Sequence, residues 1–240
     1  MKVLIIIPAR YKSSRLPGKP LKKIKGKELI LRVIEKCKKI IGKQVGLIVA
    51  TDNEQIHKLV KDNGYKSLMT SKKCLTGTDR VAEVARKISA NIYINVQGDE
   101  PLINPLDIKK IIKAKIKNPN KVICGYTDLN KDERVENINI PKLVLNKKKE
   151  LIYMSRSQIP GFKNKKSKAK YFKQVCIYAF NKKELLKFNS TKKTYLENLE
   201  DIEILRFLEK GYKILMVKLK TKIYAVDTKA DLKKIQKYFN

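Results

Sequence analysis

The sequence predicts an α/β protein in which a mostly parallel sheet carries helices on both faces. Strand-like and helix-like segments alternate along the chain, and this order is typical of a parallel sheet with helical crossovers. The first strand-like run, Val3–Ile7, is apolar at every position, as expected for a buried strand. Apolar residues make up 42% of the 240 residues, which favours a globular fold over disorder.

In the first half of the chain, apolar residues three and four positions apart indicate helices, and short apolar runs indicate strands. After the first strand and a turn at Ile24–Gly26, the predicted elements are a helix marked by Leu29, Ile30, Val33, Ile34 and Cys37, a strand at Val45–Ala50, a helix from the capping-box pattern at Thr51–Glu54 through Leu59 and Val60, a strand at Lys66–Met69, a helix marked by Val81, Val84, Ala85 and Ile88, a strand at Asn91–Val96, a helix from Pro105 through Ile112, and a strand at Val122–Tyr126.

The pattern weakens between residues 131 and 170 and then resumes. The second half is predicted to contain strands at Lys142–Leu145 and Leu151–Met154 around a Lys-rich turn, a basic loop at Gly161–Lys170, a strand at Val175–Phe180, a helix at Leu196–Leu208, a strand at Ile214–Leu219 and a helix at Ala230–Tyr238. No internal repeat or linker separates two folding units. We therefore expect one domain over residues 1–240, with 131–170 an insertion on the sheet or a dimer arm.

The net charge of +33 arises from 56 basic and 23 acidic residues. Only eight of the basic residues are Arg, whereas proteins that read nucleic acid usually rely on Arg for bidentate contacts. The lysines are also spread along the whole chain. We therefore interpret the charge as a lysine bias of the solvated surface and expect no specific nucleic-acid partner. A basic nucleic-acid-binding protein without catalysis stays open as an alternative.

The sequence gives little indication of a membrane segment, a zinc site or a catalytic triad. No apolar stretch approaches the ~20 residues that a membrane helix needs, and the run after Lys2 is too short for a signal peptide, so we expect a cytoplasmic protein with no membrane partner. The four cysteines are far apart, which predicts free thiols. The one histidine, His57, lies on the polar side of its predicted helix and argues against histidine catalysis.

The loop that follows the first strand, Pro8–Pro20, has the composition of a phosphate-binding loop. It contains the cations Arg10, Lys12, Arg15 and Lys19, the hydroxyl groups of Ser13 and Ser14, and Gly18. Cations and backbone N–H groups at the end of a strand can surround a triphosphate and stabilise a departing pyrophosphate. The spacing of a Walker P-loop is absent. From composition alone, a basic surface loop is equally compatible.

Two carboxylates and one threonine are further candidates. Asp99 follows the strand that ends at Val96, and Gly98 beside it would allow the backbone to approach a ligand closely. Asp227 precedes the capping-box pattern at Thr228–Asp231, where an acid near a helix N-terminus is also expected for stability alone. Thr78 could equally serve as a helix N-cap.

The run Pro8–Leu21 resembles the signature loop of the 3-deoxy-manno-octulosonate (Kdo) cytidylyltransferases. Further segments resemble the same family in the same order: Val49–Asp52, Gly77–Arg80, Asn95–Pro101, Tyr153–Arg156 with Ile159 and Pro160, Ile177 with Tyr178, and Val226–Thr228. The resemblance implies a three-layer nucleotide-diphospho-sugar-transferase-like (Rossmann-like) fold with a small β insertion. It also implies the reaction of CTP with Kdo to give CMP-Kdo and pyrophosphate, by direct attack of the anomeric hydroxyl on the α-phosphorus.

The resemblance also implies roles for individual residues. The catalytic group would be Arg10, Lys19, Asp99 and Asp227, with Asp99 and Asp227 as the ligands of Mg²⁺. The nucleotide would contact Pro8, Ala9, Arg10, Ser13, Ser14, Arg15, Lys19, Thr78, Arg80 and Gln97. The sugar would contact Gln97, Arg156, Gln174, Tyr178, Glu200 and Glu203, with Arg156 pairing with the sugar carboxylate. The family further implies a homodimer and a supply of activated sugar for lipopolysaccharide or capsule.

Two departures from the family pattern lie on the sugar side. Gln174 stands where family members usually carry His, and Cys176 stands where Gly is usual. They keep open a different ulosonic acid, such as an 8-amino or sialic-type sugar. Glu200, Glu203 and Arg206 resemble an acidic helix of the family, but i,i+3 pairs on a solvated helix face are expected for at least one of them.

Overall fold

Strands and helices alternate along the part of the chain that the structure, a computed structural model, describes: residues 1–13, 15–130, 132–161, 163, 169–220 and 224–239. The strands are β1 (Val3–Ala9), β2 (Lys23–Ile24), β3 (Lys27–Glu28), β4 (Val45–Thr51), β5 (Ser67–Met69), β6 (Ile92–Val96), β7 (Val122–Asp128), β8 (Lys142–Leu145), β9 (Leu151–Ser155), β10 (Phe172–Phe180) and β11 (Ile214–Lys218). The helices are α1 (Leu29–Lys38), α2 (Glu54–Asp62), α3 (Gly77–Lys87), α4 (Pro105–Lys117), α5 (Lys182–Asn189), α6 (Tyr195–Glu200), α7 (Leu205–Glu209) and α8 (Lys229–Ile235).

The central sheet has the strand order β11-β7-β10-β6-β1-β4-β5. β1 lies parallel to β4 and β6, β4 is parallel to β5, and β11 is parallel to β7. In this row of seven strands, β10 is the one that runs antiparallel to its neighbours β6 and β7. The mostly parallel sheet predicted from the sequence is confirmed. Loops that leave the parallel strands at their carboxyl ends meet along one edge, where such folds bind ligands.

Alternate residues of β1 belong to two hydrophobic cores on opposite faces of the sheet. Ile5 and Ile7 lie in the same core as apolar residues of α1, α2 and α4. Leu4 and Ile6 lie in the other core, with α3, α5 and α7. Each fully buried aliphatic side chain contributes about 1.5–3 kcal/mol relative to an exposed one. Burial on both faces explains why the strand is apolar at every position, and it confirms the predicted helices on both faces.

Three local predictions about helix ends are wrong. The N-cap of α2 is Asn53, whose side chain accepts a hydrogen bond from the Ile56 amide, whereas Thr51 ends strand β4. The N-cap of α3 is Thr76, which forms a capping box with Asp79, so Thr78 lies inside the first turn. In both cases the cap lies two residues from the predicted position, because the adjoining strand or loop sets where the helix begins. The capping box of Thr228 with Asp231 at α8 is confirmed.

The third wrong prediction is the continuous helix at 196–208. Asp201 adopts the left-handed conformation (φ 48°, ψ 48°) and separates α6 from α7. The interruption sends the carboxylates of Glu200 and Glu203 toward different partners. The sequence pattern predicted one helix because the apolar spacing continues through the break: Leu196, Leu205 and Leu208 all face the same core.

The hairpin of β8 and β9 joins the sheet through β10. Lys142 and Leu143 of β8 pair antiparallel with β10, and β9 pairs with β8. Both strands were predicted, and the prediction that 131–170 is an insertion or dimer arm stays a prediction. Most of the basic loop predicted at 161–170 lies outside the described residues. None of the described helices combines the length and apolar character needed to cross a bilayer.

Candidate active site

A cleft of about 960 Å³ opens at the carboxyl ends of β1 and β6. Its walls come from the loop after β1, the segment after β6, the first turn of α3, the insertion, strand β10 and the segment before α8. The predicted site residues that line it are Pro8, Ala9, Arg10, Ser13, Arg15, Lys19, Arg80, Gln97, Asp99, Arg156, Gln174, Tyr178, Glu203 and Asp227. Thr78 and Glu200 do not line it. Ser14 lies outside the described residues.

The loop after β1 is closed upon itself. The amide of Gly18 donates to the carbonyl of Tyr11 (3.1 Å), and Gly18 adopts a left-handed conformation with φ 64°. A Cβ atom at this position would also lie 3.5 Å from the Tyr11 ring. Glycine is suited to this turn because it adopts positive φ without steric cost. The turn directs Lys19, the next residue, into the cleft.

Lys19 joins the two carboxylates that were predicted as metal ligands. Its Nζ atom lies 2.6 Å from Asp99 Oδ2 and 2.9 Å from Asp227 Oδ1, and Arg15 Nη2 lies 3.2 Å from Asp227 Oδ2. Burial would lower the pKa of Lys19, but the two carboxylates outweigh it and the pKa rises. Burial would raise the pKa of Asp227, but Lys19 and Arg15 hold it below its usual value. The structure therefore brings together four residues that are distant in sequence, and Lys19 and Asp227 alone are 208 positions apart.

The geometry of this cluster fits a bound Mg²⁺. Asp99 and Asp227 both direct an oxygen at one cation, the Lys19 ammonium, so the two carboxylates converge on a single point. Mg²⁺ prefers hard oxygen ligands and usually takes one or two carboxylates together with substrate phosphates. The described residues contain no group of three or more His, Cys, Asp or Glu side chains arranged to hold a metal. These two carboxylates are the oxygen donors that converge on one point of the site.

Gly98 allows two chain segments of the site to meet. A Cβ atom on Gly98 would lie 2.9 Å from the carbonyl oxygen of Pro8, which is closer than real side chains allow. The sequence suggested a close approach to a ligand, but the close neighbour in the structure is the end of β1. Gly98 thus fixes the segment of Asp99 against the start of the phosphate-binding loop.

Glu203 connects α3 to the segment after β6. Its Oε2 atom accepts a hydrogen bond from the Thr78 amide (3.0 Å), and its Oε1 atom accepts one from Gln97 Nε2 (3.2 Å). Burial raises the pKa of Glu203, although the hydrogen bonds from Thr78 oppose this. Thr78 therefore supports Glu203 from beneath the cleft through its backbone, and does not serve as the N-cap. Glu203 is therefore not on the solvated helix face that was expected for at least one of the three residues of its motif.

Glu200 and Arg156 hold the insertion against the break between α6 and α7. Glu200 accepts hydrogen bonds from Ser155 Oγ (2.6 Å), the Arg156 amide (2.8 Å) and Tyr153 OH (3.2 Å). The guanidinium of Arg156 donates to the carbonyls of Glu200, Ile138 and Asp201. Glu200 is thus a support beneath Arg156 and not part of the cleft wall, and it forms no i,i+3 pair on a solvated helix face.

Arg206 is buried below the cleft, so the solvated helix face that was expected for at least one of Glu200, Glu203 and Arg206 is not found at Arg206. Its guanidinium lies 2.6 Å from both carboxylate oxygens of Glu197 and 3.2 Å from Asp79 Oδ1. The guanidinium carbon also lies 3.7 Å from the centre of the Phe188 ring. Arg206 is 2% exposed and Glu197 is 1% exposed. Arg206, Glu197 and Asp79 therefore form a buried ionic network that fixes α6 and α7 against α3.

Gln174 and Tyr178 form a hydrogen-bonded pair on β10. Gln174 Nε2 donates to Tyr178 OH (3.0 Å), and both residues are buried at the cleft wall. Gln174, Cys176 and Tyr178 line the cleft, as expected for residues two positions apart on one face of a strand, and the pairing of β10 with β7 shifts register between Val175 and Tyr178. Burial raises the pKa of the Tyr178 hydroxyl well above its usual value. The two departures from the family pattern thus lie in the cleft wall.

Two parts of the site were missed from the sequence. Glu100 lies in the cleft wall and is 4% exposed, and its Oε2 atom has no hydrogen-bond partner among the described residues. Burial, with a contribution from Asp99, raises the pKa of Glu100 to about 8. Residues of the insertion also enter the wall, and Asn139 accepts a hydrogen bond from Arg15 (3.2 Å). Glu100 could have been noticed as an acid next to Asp99, whereas nothing in the sequence indicated a role for Asn139 in the site.

Comparison with known proteins agrees with this geometry. A family model described as "Cytidylyltransferase" matches residues 4–214. The 3-deoxy-manno-octulosonate cytidylyltransferase of Fusobacterium nucleatum is 40% identical over 99% of this chain and 97% of its own length. The enzyme of the same name from Escherichia coli is 36% identical over 98% of this chain and 95% of its own length. This chain belongs to the 3-deoxy-manno-octulosonate cytidylyltransferase family.

Solved structures place the fold in the same family. A CMP:2-keto-3-deoxy-manno-octonic acid synthetase complexed with CTP superposes with a TM-score of 0.90 at 36% identity, covering 99% of this chain and 98% of that chain. A putative glucose-1-phosphate thymidylyltransferase from Bacillus anthracis has a TM-score of 0.71 at 13% identity, over 98% of this chain and 94% of that one. The second likeness concerns the fold alone. For this cytidylyltransferase, the resemblance inferred from the sequence and the predicted fold class are confirmed.

Proposed function

We propose that this enzyme transfers the cytidylyl group of CTP to Kdo, giving CMP-Kdo and pyrophosphate, with Mg²⁺ as cofactor. The observation that carries the proposal is the convergence of Asp99 and Asp227 on Lys19 inside the cleft of a chain of this family. A cationic loop and a pair of carboxylates at one point are the groups that phosphoryl transfer needs, because its catalysis is mainly positioning and electrostatic stabilisation.

The loop after β1 is proposed to hold the triphosphate. Arg10, Ser13, Arg15 and Lys19 line one wall of the cleft and supply three cations and a hydroxyl group. Fixed positive charge stabilises the negative charge that develops on pyrophosphate as it leaves, and it does so without reorganisation during the reaction. The proposed nucleotide wall is completed by Pro8 and Ala9, at the carboxyl end of β1, and by Gln97.

Asp99 and Asp227 are proposed to hold Mg²⁺. When bound there, the ion would neutralise charge on the phosphate oxygens and make the phosphorus more electrophilic. In the structure, Lys19 balances the charge of both carboxylates and keeps them directed at one point. These contacts keep Asp227 ionised, since they lower its pKa.

The part of the cleft lined by Arg156, Gln174 and Tyr178, here called the sugar end, is proposed to bind the sugar acid. The guanidinium of Arg156 uses three of its five N–H groups on backbone carbonyls in the described structure, which fixes its plane and leaves two donors for a carboxylate. Gln97, Gln174, Tyr178 and Glu203 supply further polar groups to the same wall. A site with preorganised polar groups of this kind favours a hydroxyl-rich acid, because leaving the groups unpaired would cost binding energy.

The chemistry proposed is a direct displacement. The anomeric hydroxyl of the sugar forms a bond to the α-phosphorus of CTP, the bond from that phosphorus to the β-phosphate oxygen breaks, and the hydroxyl proton passes to solvent. The enzyme's contribution is to hold the two reactants in line, which can supply several kcal/mol of the barrier reduction. No residue of the cleft needs to act as a nucleophile.

The cellular setting is part of the proposal. Production of CMP-Kdo would serve lipopolysaccharide or capsule synthesis in the cytoplasm. A homodimer is supported by exposed apolar side chains on the insertion and on α6, namely Ile138, Ile152, Tyr195 and Leu199. Sedimentation equilibrium of the full chain would test the dimer, and a monomer at micromolar concentration would contradict it.

Pyrophosphate release with CTP, Mg²⁺ and a panel of sugar acids tests the function. Release with Kdo is expected, and release only with a sialic-type or 8-amino acid would change the sugar while keeping the reaction. No release with any acid would overturn the proposal. The same assay with Mg²⁺ removed by a chelator, and then restored, tests the cofactor separately.

A further inference from the structure

Asp52 connects the phosphate-binding loop to the rest of the protein. It follows β4 directly, within one of the segments that resemble the family, and the proposed reaction does not use it. Its Oδ1 atom accepts a hydrogen bond from the backbone amide of Tyr11 (3.2 Å). Its Oδ2 atom accepts one from Arg80 Nη2 (3.0 Å). One carboxylate thus joins a loop that carries cations to a buried arginine on α3.

Tyr11 is the residue at which this loop closes. Its amide is held by Asp52, and its carbonyl accepts from the Gly18 amide (3.1 Å). Residues 12–17 lie between these two points, and Lys19 follows immediately after the closure. A displacement of Tyr11 would therefore move both ends of the loop together. Asp52 is the side chain that fixes Tyr11 to the sheet.

Arg80 fixes Asp52 from behind. The arginine side chain is 3% exposed and that of Asp52 is 13% exposed, so the ion pair is largely removed from water. Arg80 Nη1 donates to Thr70 Oγ1 and to the carbonyl of Ser71. Thr70 in turn donates to the carbonyl of Thr51 through its amide (2.8 Å) and its hydroxyl (3.0 Å). The arginine is thus committed to the ends of β4 and β5.

We propose that Asp52 is the positioning residue of the triphosphate loop and that Arg80 acts on CTP through Asp52. This proposal rests on the phosphate-binding role proposed above for the loop. It reassigns Arg80, which the family resemblance placed in contact with the nucleotide, as part of a fixed support. The loop presents its cations in a set geometry because a partly buried carboxylate holds its backbone, and a preorganised site has a smaller ordering cost when a ligand binds.

Kinetics of Asp52→Ala and Asp52→Asn provide the first test. The alanine variant loses a hydrogen bond to a charged acceptor, and we expect the KM for CTP to rise by about tenfold or more. The KM for the sugar acid should change less than about twofold, because the sugar end has separate supports. The asparagine variant keeps an acceptor for the Tyr11 amide, so its KM for CTP should lie between those of the wild type and the alanine variant. Equal changes in both KM values would overturn the proposal.

A double-mutant cycle with Arg80→Ala separates the support from a direct contact. If Arg80 acts through Asp52, the variant that carries both Asp52→Ala and Arg80→Ala should bind CTP as tightly as whichever single variant binds it more weakly. If Arg80 contacts the nucleotide directly, the two losses should multiply. Multiplication of the two effects would therefore overturn the reassignment.

Limited trypsin digestion tests the anchor without any substrate. Cleavage after Lys12 and Arg15 should become faster in Asp52→Ala and Asp52→Asn. The control is Glu184→Gln, which breaks a buried ion pair to Lys115 (2.7 Å) between α4 and α5. The control should lower stability without exposing the loop. An unchanged cleavage rate in the Asp52 variants would overturn the proposal. A wild-type enzyme that releases no pyrophosphate from CTP with any sugar acid would overturn only the proposed function.

Discussion

The two ends of the cleft are built in different ways. At the phosphate end, the cations belong to one short loop, and Arg15 is half exposed at 50% of its side-chain surface. At the sugar end, Glu203, Gln174, Tyr178 and Arg156 already make hydrogen bonds to protein groups. The phosphate end thus depends on charge carried by a loop, whereas the sugar end depends on a network fixed by the fold. Substitutions at the phosphate end should therefore reduce mainly catalysis, whereas substitutions at the sugar end should also reduce the stability of the fold.

The largest expected effect is at the buried network that supports the sugar end. Replacing Arg206 with Met would leave the carboxylates of Glu197 and Asp79 buried without their cation. Breaking a buried pair by removing one partner costs about 3–5 kcal/mol, so the free energy of unfolding should fall by about that amount. Urea denaturation measures it.

Arg206→Lys is the matched variant for this network. It keeps the positive charge but loses the bidentate contact with Glu197, so it should recover only part of the lost stability. Wild-type stability in Arg206→Met would show that the network does not support the helices, and the contrast between the two ends would weaken.

The second effect concerns catalysis at the phosphate end. Lys19→Gln removes the cation shared by Asp99 and Asp227, and we expect kcat to fall by about 10²–10³-fold, the usual loss for a preorganised electrostatic group. Stability should change little, because the two carboxylates are 25% and 29% exposed. Steady-state rates and thermal unfolding of the same samples measure both quantities.

Lys12→Gln is the control for Lys19→Gln. It removes the same charge from the same loop at a residue outside the main cleft. Its kcat should stay within about twofold of wild type, since exposed charges separated from the reacting groups are screened by water and salt. An equal loss in the two variants would mean that the net charge of the loop matters and its geometry does not.

The third prediction is a pH-dependent stability difference at Glu200. Burial would raise the pKa of Glu200, but hydrogen bonds from the Arg156 amide, Ser155 and Tyr153 lower it below the usual value. The ionised carboxylate therefore stabilises the fold above pH ~4.3, and this contribution is lost as the pH falls through the lower folded-state pKa. Glu200→Gln should lower the unfolding free energy by about 1.5–3 kcal/mol at pH 7.

The difference between Glu200→Gln and wild type should shrink as the pH falls below about 4, where both side chains are neutral. Thermal unfolding from pH 3.5 to 8 measures the trend. A difference that grows in acid would contradict the sign, and would mean that the neutral side chain is the form that the site favours.

The smallest expected effect sharpens the assignment of the sugar. Gln174→His restores the residue usual in the family, and we expect the KM for Kdo to change by less than about fivefold, because a hydrogen-bonding group is kept. A histidine would add a titration near pH ~6.5 or below, since burial lowers its pKa. KM measured between pH 5.5 and 8 should acquire this dependence only in the variant. A loss of activity above a hundredfold would show that Gln174 serves a different sugar.

Much of the fold follows from the sequence by itself. The parallel strands were predicted because residues such as Ile5 and Ile7 sit in apolar runs, and burial on both faces of a sheet requires such runs. The phosphate loop was evident because its cations lie within one short segment, and Asp99 was evident because it follows a strand. These are short-range signals, set by local hydrophobic pattern and local chemistry.

The tertiary structure decided which charged groups meet. Glu203 reaches Thr78 across 125 positions, and Lys19 reaches Asp227 across 208 positions. Arg80 was expected to contact the nucleotide, and Arg206 was placed on a helix expected to be partly solvated, yet the packing of α3 against the sheet and α7 buries both in ion pairs. Pattern within a segment determines where strands and helices form. The partner of a buried charge is determined only when distant segments pack, since a charge removed from water is stable only beside a group that satisfies it.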